Sequence, residues 1–155
     1  MAFKVLAPPD TELRVLYNVS KPVGPKQPNR EDDVLLVQVC LQKLFDNPDA
    51  FNPPFPPPPN RKRIETDGKC GPLTQGGILH FQSVIKSRHA SIRPDGVVNR
   101  ANDRTVVSPI SHTVFTIVFL NKALKGVIGD DLFGRLESDP EVPFKLALSL
   151  STSAD

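Results

Sequence analysis

Two cysteines, Cys40 and Cys70, and three histidines, His80, His89 and His112, are the residues of this chain best suited to nucleophilic, acid–base or metal chemistry. Their spacing matches no metal-ligand pattern. A Cys70–His80 nucleophile pair is conceivable. The simpler reading is preferred: Cys40 falls on an apolar helical face and Cys70 in a turn, so both read as reduced, inert thiols, with a disulfide between them as the minority reading. No catalytic residue, metal site or cofactor is expected. The remaining polar side chains of interest, among them Asp67, Thr74, Gln82, Arg93 and Asp95, cluster at two turns and at the helix that lies between them.

Those turns and helices must therefore position whatever the chain binds. Asp67-Gly68 and Pro94-Asp95-Gly96 are tight-turn signals, each with a glycine free to take positive φ. Ahead of the first turn, Asp32-Asp33 opens a helical pattern, carboxylates suiting the positive end of a helix. Val34, Val37, Leu41 and Leu44 then recur at helical spacing, with Gln38 and Gln42 beside them. After it, Gly71 closes the loop and Pro72 fits a first helical turn, where no donor is needed. Ile78, Phe81 and Ile85 mark that helix's buried face. Gly76-Gly77 cost about 1 kcal/mol each relative to alanine, which suggests close approach by the helix of Val34 to Phe45. Beyond the second turn, Ser108 to Leu124 reads as a third helix, with Ser111 as its cap and Val114, Ile117, Leu120 or Asn121, and Leu124 as its stripe.

Three segments flank or interrupt this core. Residues 1–22 form an N-terminal extension in which Phe3–Leu6 and Leu13–Tyr17 read as short strands kept apart by prolines. Residues 46–63 hold seven prolines between Pro48 and Pro59, which exclude a helix or central strand and favour polyproline II. Either this insertion merely joins two helices, or its 53–63 stretch docks a protein partner; the first is preferred. Residues 125–155 read as a C-terminal extension of short helices, with a weak helical patch at Asp130–Leu136, one or two further turns in "DPEVPFKLALSLS" and a frayed tail.

Bulk properties bound the function. The chain has 155 residues, 39% hydrophobic and 23% charged, with a net charge of +2. That is one domain with appendages and one core. Acid and base are interleaved, so a nucleic-acid role is not expected; Arg61-Lys62-Arg63 reads as a solvated loop. No stretch is long and apolar enough to insert in a membrane. Residues 1–19 lack the apolar run of a secretion leader, so synthesis in the cytoplasm is expected, with any delivery to the cell envelope by a leaderless route.

The pattern Asp33-Val34, Val37-Gln38, Leu41 and Leu44, then Asp67-Gly68, Gly71-Pro72, Thr74, Ile78 and Phe81-Gln82, then Pro94-Asp95-Gly96 and Thr105, resembles the peptidoglycan-binding domain-like family. The resemblance spans residues 23–124, with Val23-Gly24 to Asn29 as its lead-in. The chain departs from the family in its proline-rich insertion, in Gly76-Gly77 where alanine is common, and in "VVNRANDRT" after the second turn. The resemblance implies a mainly α fold, a small three-helix bundle carrying the insertion. It implies a non-catalytic module that binds bacterial wall peptidoglycan in a shallow groove near the turns and helix starts. Ligand-binding candidates are Asp67, Gly68, Thr74, Gln82, Arg93 and Asp95. The competing expectation is a protein–protein adaptor or structural part of a phage particle or secretion apparatus on the same fold.

Overall fold

The computed structural model describes residues 1–88, 90–102, 107 and 113–152. Thr105, Ser111, His89 and His112 lie outside them. The chain is mainly helical, with four helices and a small two-stranded sheet. The helices are α1 (Glu31–Asp46), α2 (Pro72–Ser87), α3 (Thr116–Phe133) and α4 (Phe144–Thr152). Helix α1 is central and packs against each of the other three. Its Val34, Val37, Leu41 and Leu44 are fully buried, as their helical spacing requires. Ile78 and Phe81 of α2 and Ile117, Leu120 and Leu124 of α3 close on them. Among the described residues, no helix is long and apolar enough to cross a membrane.

The two N-terminal strands pair, contrary to the expectation that prolines separate them. Strands β1 (Phe3–Leu6) and β2 (Val15–Asn18) form an antiparallel ladder from Phe3 opposite Asn18 to Leu6 opposite Val15. Pro8 and Pro9 sit in the connection, where Pro9–Thr11 makes a 3-10 turn, so neither removes a ladder donor. Asn121 of α3 fixes this hairpin: its carboxamide accepts from Tyr17 N at 2.8 Å and donates to Tyr17 O at 2.8 Å.

Asp32 and Asp33 play a different part from the capping expected. The residue ahead of α1 is Arg30, and no side chain caps the helix. Asp33 instead accepts from the backbone N–H groups of Ser20 and Lys21 and from the Ser20 hydroxyl. Asp32 accepts from Ala2 N at 2.6 Å and from Ser149 Oγ at 2.9 Å. The two carboxylates thus tie the hairpin and α4 to the start of α1. The C-terminal segment is correspondingly ordered: α3 continues to Phe133 through a break at Gly129, and α4 buries Leu146 and Leu150 in the common core.

The proline-rich stretch does more than join two helices. Phe55 is 2% exposed and Ile64 4%. Phe55 stacks on Phe81 of α2 at 5.9 Å and meets Phe45 at 6.0 Å and Phe51 at 5.9 Å. His80 bonds Pro56 O through Nε2 at 2.8 Å, and Arg88 donates to Pro54 O at 3.1 Å. Prolines hold this excursion extended while its two phenylalanines anchor it.

Candidate functional site

Both Asp-Gly turns are held by one and the same device. Gln38 of α1 accepts from Gly68 N at 2.9 Å through Oε1. Its Nε2 donates to Lys69 O, Asp67 Oδ1 and Thr74 Oγ1, each at 3.0 Å. One helix later, Gln82 accepts from Gly96 N at 2.8 Å and donates to Val97 O at 3.0 Å, Thr116 Oγ1 at 2.9 Å and Asp95 Oδ1 at 3.4 Å. In each turn the aspartate Oδ1 also accepts from the backbone N–H two residues on, Lys69 or Val97. Gly68 and Gly96 have φ of 76° and 77°, a region that a side chain would strain. A carboxamide is the one neutral side chain offering an acceptor and two donors together, so it satisfies a turn's N–H, its carbonyl and the next helix's threonine at once. Each helix therefore sets where the following one begins.

This arrangement sorts the sequence candidates. Thr74 is 3% exposed and Gln82 fully buried, and their polar groups are committed to the two braces. Gly68 is also buried, with the Glu31 side chain laid over it. Asp67 and Asp95 stay at the surface while bracing their turns through Oδ1. Arg93 is exposed, its Nε 3.8 Å from Asp95 Oδ2. Asp67, Gly68 and Thr74 thus form one cluster around Gln38. Gln82, Asp95 and Arg93 form a second.

The first cluster opens on a hollow of about 530 Å³ ahead of α2. Lys62, Arg63, Glu65, Asp67, Lys69 and Leu73 line it, but Gln82, Arg93 and Asp95 do not. Hydrogen bonds from Lys69 N and Gln38 hold the Asp67 carboxyl below the usual aspartate range, so it stays ionised at neutral pH. Arg63 is engaged by Asp46, at 3.0 and 2.8 Å. Lys62 and Lys69 are exposed and form no ion pair among the described residues. Helix α2 adds the positive end of its dipole, with no acidic residue in its first turn and no capping side chain. The hollow therefore offers ammonium groups, the carboxylates of Glu65 and Asp67 and the apolar face of Leu73.

The thiols face other surroundings. Cys40 is buried, and burial pushes its thiol up to about 12; Cys70 is half-buried and raised for the same reason. Both shifts disfavour the thiolate a nucleophile needs. The His80 ring packs against Phe45 and Phe55, with Nε2 on Pro56 O. No group of three His, Cys, Asp or Glu among the described residues is placed to hold a metal ion.

Gln38, Lys62 and Lys69 were not among the sequence candidates. The signal for Gln38 was available, since Val37-Gln38 and Phe81-Gln82 each place a glutamine on the helix before an Asp-Gly turn. Lys62 and Lys69 carry no such pattern. No family model, curated protein or solved structure matches the chain.

Proposed function

We propose that the chain is a non-catalytic module that binds bacterial wall peptidoglycan and so directs itself, or a partner, to the wall. The repeated brace carries this reading: two Asp-Gly turns, each fixed by a glutamine of the preceding helix, reproduce the spacing on which the family resemblance rests. A three-helix core of that family type accounts for α1, α2 and α3, with the hairpin and α4 added around it.

The hollow ahead of α2 is the binding face. Stem-peptide carboxylates pair with Lys62 and Lys69 and with the positive end of α2. Asp67 accepts hydroxyl or amide protons, and Leu73 takes the methyl of an acetamido group. Of the sequence candidates, Asp67 is a contact residue, while Gly68, Thr74 and Gln82 hold the frame. Asp95 and Arg93 belong to the second turn.

Co-sedimentation with purified insoluble sacculi tests the proposal. The protein pellets, and the exposed substitution Lys69→Glu returns it to the supernatant without changing its melting temperature. Protein that stays in solution at every sacculus concentration would refute wall binding. An adaptor role is the second reading, and one observation favours it: the proline-rich excursion, packed on α2 by Phe55, builds an apolar groove there that adjoins the hollow and shares Lys62, Pro72 and Leu73 with it.

A further inference from the structure

The groove of about 380 Å³ lies between the excursion and the outer face of α2. Pro58 and Pro59 form one wall, Leu73 and Leu79 the other, and Gly76 lies between them. Leu79 is 46% exposed, so a large side chain on a helix is left turned to solvent.

The two adjacent glycines of α2 have different reasons to be there. A Cβ on Gly77 would meet Ile64 Cδ1 at 2.6 Å and Leu41 Cδ1 at 3.3 Å, so a side chain there would push aside the end of Ile64 and crowd Leu41 of α1. A Cβ on Gly76 would meet nothing within 4 Å. Glycine inside a helix is destabilising, and no contact among the described residues explains this one. Its effect is to keep the groove floor at backbone level.

Charge says what kind of occupant fits. Lys62 stands on the lip as the groove's one ammonium group, and no acidic residue lines it. Exposed Arg61 precedes it in the chain, and neither has an ion pair among the described residues. Proline walls and leucines favour an apolar side chain, and the basic lip favours a carboxylate beside it.

We propose that this groove docks a short extended segment of a partner protein, an apolar side chain lying over Gly76 and a neighbouring acidic residue pairing with Lys62. The proposal deepens the adaptor reading; the groove shares Lys62, Pro72 and Leu73 with the wall-binding hollow, but Gly76 and Leu79 belong to the groove and not to the hollow.

Gly76→Leu supplies the test, because it fills the groove at a position open to solvent and improves helix propensity. A random peptide-display library is selected against the wild-type protein, and enriched peptides are then measured in solution. The expected peptides pair an apolar with an acidic residue and bind one to one. Gly76→Leu weakens them by roughly a hundredfold, the loss of a few kcal/mol of apolar contact, while its melting temperature rises. Lys62→Glu weakens them by roughly tenfold, the scale of one charge-assisted pair. Sacculus pelleting by Gly76→Leu equals that of wild type, whatever that level is.

Four outcomes would overturn the proposal. Two are a selection that yields no enriched peptide and enriched peptides that bind Gly76→Leu equally well. A wall stem peptide that displaces the enriched peptides and is itself weakened by Gly76→Leu would make the wall the occupant. Self-association of the wild type, abolished by Gly76→Leu, would make it a second copy of the chain.

Discussion

Truncating Gln82 to alanine tests whether the braces set the helix geometry. The substitution removes the acceptor of Gly96 N–H and the donor to Val97 O, bonds of 2.8 and 3.0 Å. It also removes the donor to Thr116 Oγ1, whose hydroxyl can rotate to another partner. Gly96 is buried, and Val97 lies beside the isolated bridge of Val98 with Val23, so water does not replace the lost partners freely. Each orphaned buried group costs about 1–3 kcal/mol, giving about 2–6 kcal/mol for the two backbone groups. A domain of this size has about 5–15 kcal/mol in total. Urea denaturation followed by circular dichroism reads the loss directly. With a slope of about 2 kcal/mol/M, the midpoint falls by about 1–3 M at unchanged slope. Gln38→Ala, whose bonds match one for one, behaves alike. Gln75→Ala, which removes a single half-exposed bond to Cys70 O, costs less than about 1 kcal/mol. A loss below about 1 kcal/mol for both Gln38→Ala and Gln82→Ala would show that the turns hold without their glutamines.

The excursion supplies a second prediction. Phe55→Ala costs about 3–5 kcal/mol, the range for a buried phenylalanine, and the melting temperature falls sharply; an unchanged value would mean that the excursion hangs free of α2. Asp67 gives a pH dependence. Its folded pKa is lowered by the Lys69 N–H and the Gln38 amide, so its contribution is complete above the ordinary aspartate value of about 4 and is lost as pH falls through the lowered folded value. Asp67→Ala is therefore less stable than wild type at neutral pH, and the two thermal curves converge on acidification below that range. A gap that stays constant from neutral to strongly acid pH would show that ionisation of Asp67 plays no part.

Much of the helical framework was legible in the sequence, because periodicity and turn chemistry are local. Val34, Val37, Leu41 and Leu44 placed α1, and Gly71-Pro72 marked the start of α2 to the residue. What escaped depends on partners far along the chain. The β1–β2 ladder needs its prolines to fall in the connection, and that is decided by pairing, not by composition. Phe55 sits among prolines, where no periodicity marks a buried face, and its burial depends on Phe45, Phe81 and His80 being brought around it. Asp32 and Asp33 looked like caps, yet their partners are Ala2, Ser20, Lys21 and Ser149. The turn glutamines were visible as letters, but their shared role appears only when the two turns are compared in space. The same comparison shows Thr74 and Gln82 bracing the turns, and places Lys69, which no motif marked, beside the hollow with Lys62 of the Arg61-Lys62-Arg63 cluster.

Titration of the isotope-labelled protein with soluble muropeptides, followed by amide chemical shifts, tests the wall-binding proposal most directly. The account predicts saturable shifts confined to the backbone around Lys62 and from Asp67 to Thr74, with Lys69→Glu abolishing them. Spectra that do not move at saturating muropeptide, or shifts centred on α3 and α4, would contradict it.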